Sequence, residues 1–357
     1  MWLNDAILII ITIFMAAGAV DYAFLHNRFG LGDKFHEAFM MMGPLALAMV
    51  GIISLAPVIS EQLAPWVVPL YNRIGADPAM FASMILAIDM GAYPLAESLA
   101  ETKQGAVFSW AFLGTMMGPT IVFTIPVALT IIEKSDQPYF ARGILIGIIT
   151  IPFGCLAGGA LAGYEILWMI KNLVPTVFLA LFIGLGIWKF TRITTRMFSL
   201  FGKGIEWVII AGLIAIIVQT LTGAAVIPGL APINEGIQIV GSITITLAGA
   251  YPLVAFINQA GKKLWEKAGK QIGINSIAVT GLIASLAHHL PMFAVLKEMN
   301  SKGKVVNSAF AVSGAFAFGS HIGFVAGIEK EVMAAVMAGK LTAGILAVII
   351  ALYTTSD

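Results

Sequence analysis

Long apolar runs alternate with short polar or Gly/Pro-containing segments along almost the whole chain. A membrane-spanning helix needs about 20 mostly apolar residues, and about eleven segments meet that requirement. Their approximate ranges are 5–25, 37–60, 79–98, 106–132, 141–163, 166–188, 205–227, 236–258, 276–297, 305–327 and 332–353. Backbone polar groups in lipid must be hydrogen-bonded within the protein, so helices are the expected form. The pattern predicts an all-α, polytopic helical membrane protein.

Two of these segments are interrupted by residues that disturb a membrane helix. The third contains Pro94, and the ninth contains His288, His289 and Pro291. Proline lacks the backbone N–H that an uninterrupted helix would use. We therefore expect both segments to be broken or re-entrant.

The composition excludes several classes of protein. Hydrophobic residues make up 59% of the chain and charged residues only 11%, whereas about a quarter of the residues are charged in soluble domains. The net charge is +1 and no basic cluster with interleaved aromatic residues is present, so a nucleic-acid partner is not expected. No phosphate-binding loop and no metal-ligand spacing occurs, which predicts neither a cofactor nor a metal site. The lipid bilayer is the expected surrounding, and a homo-oligomer is compatible with the sequence.

Basic residues indicate the orientation, because Lys and Arg accumulate on the cytoplasmic side. Two predicted connections are rich in them, and we expect both to be cytoplasmic, with a cytoplasmic N-terminus. The first contains Lys189, Arg192, Arg196 and Lys203, and the second contains Lys262, Lys263, Lys267 and Lys270. Lys297, Lys302 and Lys304 fall on the opposite side and are an exception to the pattern.

Glycine positions suggest an internal repeat. Gly43, Gly51 and Gly75 recur 198 residues later as Gly241, Gly249 and Gly273. Many secondary transporters are built from two repeats with the substrate between them. The alternative explanation is the shared, glycine-rich composition. The expected organisation is a first span and loop (1–35), an N-terminal repeat (36–164), connecting spans with a basic loop (165–233) and a C-terminal repeat (234–357).

Asp89 is the first candidate for a functional residue. It lies near the middle of the third segment, with no basic residue close in sequence. A charged side chain inside a membrane helix costs on the order of 3 kcal/mol, so it is a functional candidate by default. Asp89 could neutralise a protonated amine or carry a proton. It could equally pair with a histidine or cap a helix break before Gly91. Asp21, Glu97 and Glu101 lie near span ends, where we expect them to be solvated.

Further candidates surround the second set of breaks. His288 and His289 could bind a hydroxyl, exchange a proton or bond a freed carbonyl group. His321 follows Ser320, and the repeat aligns it with Thr120. Tyr93 and Tyr251 each precede a proline. Their rings could face an ammonium group or anchor the protein at the membrane surface.

Several strings resemble the ethanolamine transporter family of ethanolamine-utilisation operons. They cover residues 39–56 (FMMMGPLALAMVGIISLA), 89–91 (DMG), 117–129 (MGPTIVFTIPVAL), 228–230 (PGL), 249–252 (GAYP), 303–305 (GKV) and 319–324 (GSHIGF). The resemblance implies import of ethanolamine across the cytoplasmic membrane for catabolism. The chain departs from the family pattern in two places. The family has asparagines where this chain has His288 and His289. The family often has Gly-Asp-His where this chain has Gly319, Ser320 and His321.

These observations together predict a secondary transporter that works by alternating access, with protonated ethanolamine paired to Asp89. The hydroxyl of ethanolamine would be bonded by His321 or Thr120. The predicted substrate-binding residues are Asp89, Tyr93, Thr120, Tyr251, His288, His289, Ser320 and His321. A channel-like facilitator of neutral amines or alcohols is the main alternative. An intramembrane enzyme is disfavoured, because the spacing of Ser285, His288 and Asp89 indicates no catalytic triad.

Overall fold

The computed structural model describes residues 2–355, apart from the side chains at positions 188, 191, 192 and 266. Sixteen α-helices and no β-strand are present in this range, which confirms the all-α fold. The helices are α1 (Trp2–Phe24), α2 (Gly32–Met40), α3 (Met42–Ile74), α4 (Ala79–Ile85), α5 (Ala92–Leu99), α6 (Lys103–Val107), α7 (Met117–Pro119), α8 (Ile125–Ile131), α9 (Gln137–Leu161), α10 (Ile166–Thr222), α11 (Ile233–Ile272), α12 (Ser276–Ser285), α13 (Leu290–Ala294), α14 (Ser301–Ser313), α15 (Ser320–Ile328) and α16 (Met333–Thr354).

Short segments of tighter or wider helix join some of these elements. Single 3₁₀ turns cover Ile88–Met90, Lys134–Asp136, Leu296–Glu298 and Lys330–Val332. Wider π-helical segments cover Phe108–Leu113 and Thr120–Thr124. Such π segments are uncommon and occur often at functional sites.

The protein is a multi-pass membrane protein. Seven helical segments in the described part of the chain are long and apolar enough to cross a membrane. The helix pair Lys103–Leu113 and Met117–Ile131 is bent by 43° at its break. It brings the number to eight if it crosses the membrane as one span. The predicted number of eleven is not confirmed, because the third, ninth and tenth segments are divided into helices too short to span a bilayer.

The two predicted basic connections are helical rather than loops. Lys189 and Lys203 lie in α10, which kinks at Phe190 where the backbone leaves the helical region (φ −134°, ψ 41°). The lysines from Lys262 to Lys270 lie in the C-terminal turns of α11. Lys and Arg are good helix formers, and no proline interrupts either stretch. The charge pattern therefore did not identify the local structure, and the cytoplasmic placement of both stretches stays a prediction.

The chain folds into two compact units that are each discontinuous in sequence. Unit 1 contains Met1–Met41, Val127–Gly154 and Ser242–Asp357. Unit 2 contains Met42–Pro126 and Cys155–Gly241.

Helix α3 packs against α10 in unit 2 through a glycine contact. A Cβ atom at Gly51 would overlap the carbonyl oxygen of Ile209, and one at Gly212 would come within 2.5 Å of the Gly51 carbonyl oxygen. Small residues of this kind let two membrane helices approach closely. The same kind of contact occurs in unit 1, where Gly143 of α9 packs on Ser308 of α14.

A buried carboxylate closes the connection between α1 and α2 in unit 1. The side chain of Asp21 has no solvent exposure. It accepts hydrogen bonds from the backbone N–H groups of Phe29 (3.1 Å), Leu31 (2.9 Å) and Gly32 (3.0 Å). The expectation of a solvated Asp21 is therefore wrong, because the loop folds back over the carboxylate and supplies the donors that water would otherwise provide.

The units share local features at positions 198 residues apart. Gly75 ends α3 with φ +71°, and Gly273 ends α11 with φ +78°. This left-handed conformation favours glycine at a helix C-terminus. Both units also contain an N-cap three helices later: the Thr102 side chain accepts from the N–H of Gly105 at α6, and the Asn300 side chain accepts from the N–H of Gly303 at α14.

Two of the three lysines that are exceptions to the orientation pattern form ion pairs. Lys304 Nζ lies 2.6 Å from an oxygen of Asp136, with side-chain exposures of 14% and 3%. Lys297 lies 3.6 Å from Glu133. A lysine held by an acidic partner contributes little net charge, so it is a poor indicator of the cytoplasmic side.

We predict that Lys304→Met lowers the free energy of unfolding by about 3 kcal/mol, because it leaves the Asp136 carboxylate buried without its partner. The matched control is Lys34→Met, which breaks the exposed Lys34–Glu37 pair. The control should change the free energy by less than about 1 kcal/mol. Unfolding in mixed detergent micelles measures both, and equal losses in the two variants would contradict the structural role of the buried pair.

Candidate functional site

Two broken helices cross at their breaks in unit 2. Leu86 and Ala87 are extended between α4 and the 3₁₀ turn, and Gly91 has φ +108°. The N–H of Ile88 donates to the carbonyl oxygen of Gly114 at 2.8 Å. A Cβ atom at Gly118 would overlap the carbonyl oxygen of Leu86. The second break thus provides an acceptor for the Ile88 N–H, and its Gly118 leaves space for the Leu86 carbonyl group.

Asp89 lies on the 3₁₀ turn inside this crossing, and its side chain is partly exposed. Among the described residues of unit 2, no side chain donates a hydrogen bond to its carboxylate. The alternative interpretation, a pair with a histidine, is not tested within this unit, because all five histidines of the chain belong to unit 1. What remains within the unit is an acceptor group set in a helix break.

Thr120 and Tyr93, the other two candidates in unit 2, have different surroundings. Thr120 is fully buried, and its hydroxyl donates to the carbonyl oxygen of Met116 at 2.7 Å. Its oxygen can therefore accept a further hydrogen bond but has no second proton to donate. Tyr93 lines a cavity of about 330 Å³ with Glu97 and Glu235. Glu97 is exposed, as expected for a solvated span end.

Unit 1 contains a second crossing of broken helices. The N–H groups of Phe316 and Phe318 donate to the carbonyl oxygens of Ser285 (2.9 Å) and Leu286 (2.8 Å). A Cβ atom at Gly319 would overlap the carbonyl oxygen of Ala287. Phe316 has φ +59°, a conformation that is unusual for a bulky residue.

The three histidines predicted for the site meet around the ring of Phe316. Ring centroids lie 5.0 Å away for His288, 4.8 Å for His289 and 4.5 Å for His321. His289 is fully buried and His321 is 3% exposed. His288 accepts a hydrogen bond at Nδ1 from the N–H of Leu290. The sequence therefore identified a real cluster, although its centre is an aromatic ring that we did not predict.

One buried charge belongs to the same unit: Lys340 on α16 is 1% exposed. Tyr251 is 5% exposed on α11, and Ser320 opens α15 with its side chain buried. Among the eight predicted site residues, Tyr251, His288, His289, Ser320 and His321 belong to unit 1, and Asp89, Tyr93 and Thr120 belong to unit 2.

Comparison with known proteins identifies the family. The family described as "Ethanolamine utilisation protein, EutH" matches residues 3–354. The chain belongs to the EutH family. It is 50% identical over 353 residues to the "Probable ethanolamine permease EutH" of Listeria monocytogenes, covering 99% of this chain and 94% of that protein.

Two further relatives cover nearly the whole chain. The "Probable ethanolamine permease EutH" of Salmonella typhimurium is 40% identical over 389 residues, covering 99% of this chain and 95% of that protein. The "Uncharacterized protein YxeR" of Bacillus subtilis is 53% identical over 355 residues, covering 99% and 96%. No solved structure matches the chain.

The EutH-family chain contains site features that the sequence analysis missed. Lys340 is 1% exposed within the last apolar segment, and a lysine in such a run is itself a signal. Glu235 lies in the first turn of α11, where it resembles an ordinary solvated helix start. The sequence does not mark Phe316 as part of the histidine cluster, because its position there depends on its unusual backbone conformation.

We predict that Gly118→Ala destabilises this EutH-family protein by about 1–3 kcal/mol, because the added methyl group would displace the Leu86 carbonyl at the crossing. Gly43→Ala is the control, since no atom lies within 4 Å of a Cβ atom there. The control should be neutral or slightly stabilising. Thermal unfolding in detergent measures the difference, and a Gly118→Ala protein as stable as the control would contradict the close approach.

Proposed function

We propose that this protein transports ethanolamine across the cytoplasmic membrane. The support comes from the similarity to two relatives called probable ethanolamine permeases and from the candidate site. The observation that carries the mechanism is the Asp89 carboxylate, which lies in a helix break without a cationic partner among the described residues of unit 2. The amine of ethanolamine is largely protonated at neutral pH, as lysine is. An ammonium group would supply the missing positive charge.

The proposed mechanism is alternating access between two related sets of helices. It is supported by the crossing of broken helices in each unit, by the left-handed Gly75 and Gly273, and by the matching helix caps. Transporters of this type hold their substrate at discontinuous helices, where unwound backbone and helix ends supply polar groups. Asp89 would bind the ammonium group, and Thr120 of the same unit would bind the hydroxyl.

We predict that Asp89→Asn lowers saturable uptake of labelled ethanolamine by at least about tenfold, which corresponds to 1.4 kcal/mol. The amide keeps the size of the side chain but removes the negative charge. Asp33→Asn, at an exposed position of α2, is the control and should transport normally.

Uptake into proteoliposomes is the measurement, and the label should be recovered from the lumen as unchanged ethanolamine. Undiminished saturable uptake by Asp89→Asn would remove Asp89 from the binding role. Uptake that never saturates and follows the neutral fraction of the amine would instead support the channel-like facilitator.

We predict that the residue bonding the hydroxyl decides the preference for ethanolamine over ethylamine. Loss of one hydrogen bond should reduce that preference by about tenfold. The preference should fall in Thr120→Val and persist in His321→Ala, which changes a residue of unit 1. Competition of the two amines for uptake measures the preference, and a preference unchanged in both variants would contradict the proposed hydroxyl contact.

A further inference from the structure

A polar cavity of about 330 Å³ opens beside the helix crossing of unit 2. It lies where α5 faces the middle of α3 and the start of α11, and all its lining residues belong to unit 2. The polar lining residues include Tyr93, Glu97, Ser98, Glu235 and Gln238. This volume is at the lower end of the range for small-molecule sites. The cavity is therefore large enough for a small solute.

The charged residues that line the cavity are both acidic, and both are exposed. Glu97 and Glu235 contribute two carboxylates, and no lysine, arginine or histidine is among its lining residues. Clefts lined by one sign of charge concentrate ions of the opposite sign. The lining therefore selects for cations.

One of the carboxylates is held in place by an aromatic pair. The buried indole of Trp110 donates from Nε1 to Glu97 Oε1 at 2.8 Å. The ring of Tyr93 packs edge-on against Trp110 at a centroid distance of 5.2 Å. A carboxylate fixed beside a tyrosine ring offers an ammonium group both an ion pair and a cation–π contact.

Proline adds a neutral acceptor to the same wall. Pro57 lies inside α3 and has no N–H, so the carbonyl group of Ile53 lacks its usual helical donor. Both residues line the cavity. A primary ammonium group has three N–H donors, and the two carboxylates of the lining can accept hydrogen bonds from them. A neutral alcohol could use only part of this set.

The position of the cavity along the chain indicates which membrane face it opens to. Basic residues Lys189, Arg196 and Lys203 stand at the start of the second half of α10 and mark the cytoplasmic side. This half, Ile193–Thr222, is long enough to cross the membrane. The chain then reaches Ala231, whose N–H donates to the Ser54 carbonyl oxygen, and Glu235. Ala231 and Glu235 of the cavity therefore come shortly after the non-cytoplasmic end of this span in the sequence.

We infer that this cavity is an outward-facing binding site for small primary ammonium ions, distinct from the Asp89 position. Ethanolamine in its protonated form would bind here first, between the Glu97 and Glu235 carboxylates and the Tyr93 ring. The identity of the solute rests on the proposed function. The cation selectivity rests on the cavity lining, and the direction of opening rests on the basic residues of α10.

The test places a cysteine in the cavity by Ser98→Cys and labels intact cells with a membrane-impermeant thiol reagent. The natural Cys155 is buried and should give little background. The outside reagent should label the new cysteine. Ethanolamine at about ten times its dissociation constant should slow the labelling about tenfold, because only the unoccupied fraction reacts. Ethylene glycol, which has no ammonium group, should give no protection. Gln238→Cys reports on the same cavity if Ser98→Cys is poorly produced.

The charge requirement is tested by adding Glu97→Gln and Glu235→Gln to the same cysteine protein. Glutamine at position 97 keeps an oxygen for the Trp110 N–H, so the wall is preserved while the charge is removed. Protection by ethanolamine should disappear. The control pair, Glu61→Gln and Glu165→Gln, removes two exposed carboxylates of unit 2 outside the cavity and should leave protection intact.

Each result decides the inference separately from the proposed function. No labelling from outside at either cysteine, or labelling that ethanolamine does not slow in cells that take up ethanolamine, overturns it. Protection that persists without both carboxylates also overturns it. Protection in a protein that binds but does not transport ethanolamine would support the cavity site and refute the transport proposal.

Discussion

The structure depends on one constraint: a backbone that leaves the helical conformation inside a membrane protein must still have its N–H and C=O groups hydrogen-bonded. An unsatisfied group in an apolar surrounding costs several kcal/mol. Each unit meets this constraint by crossing two broken helices at their breaks. In unit 2 the N–H of Ile88 reaches the carbonyl of Gly114, and in unit 1 the N–H of Phe316 reaches the carbonyl of Ser285. The glycines at the crossings provide the necessary space.

This arrangement explains where polar chemistry can exist in so apolar a chain. Asp89 and the three histidines occur at the breaks rather than on the long helices. A break gives a polar side chain both a position inside the protein and a neighbourhood of backbone dipoles. The proposed ethanolamine site and the proposed ammonium cavity share one feature: each would bind a cation through a carboxylate group.

Hydropathy predicted the helical membrane fold because lipid imposes a simple requirement on long segments. The breaks in the third and ninth segments were predictable from Pro94 and Pro291, since proline removes a donor. The number of spans was not, because apolar composition cannot distinguish a crossing helix from two short helices within the protein. Most basic residues of the first predicted connection lie in helical turns on either side of the kink at Phe190, which charge patterning cannot report.

The candidate site was only partly predictable. Asp89, His288, His289 and His321 are conspicuous as polar residues in apolar runs. Glu97 and Glu235 are far apart in sequence and resemble ordinary helix ends, so their shared cavity depends on tertiary packing. The burial of Asp21 likewise depends on the loop that folds over it.

The most direct measurement of the central claim is an experimentally determined structure with ethanolamine bound within the membrane. The account predicts that the ethanolamine nitrogen lies about 3 Å from a carboxylate oxygen of Asp89, at the break between α4 and α5. A structure in which Asp89 pairs with a basic side chain while ethanolamine binds away from both helix crossings would contradict it.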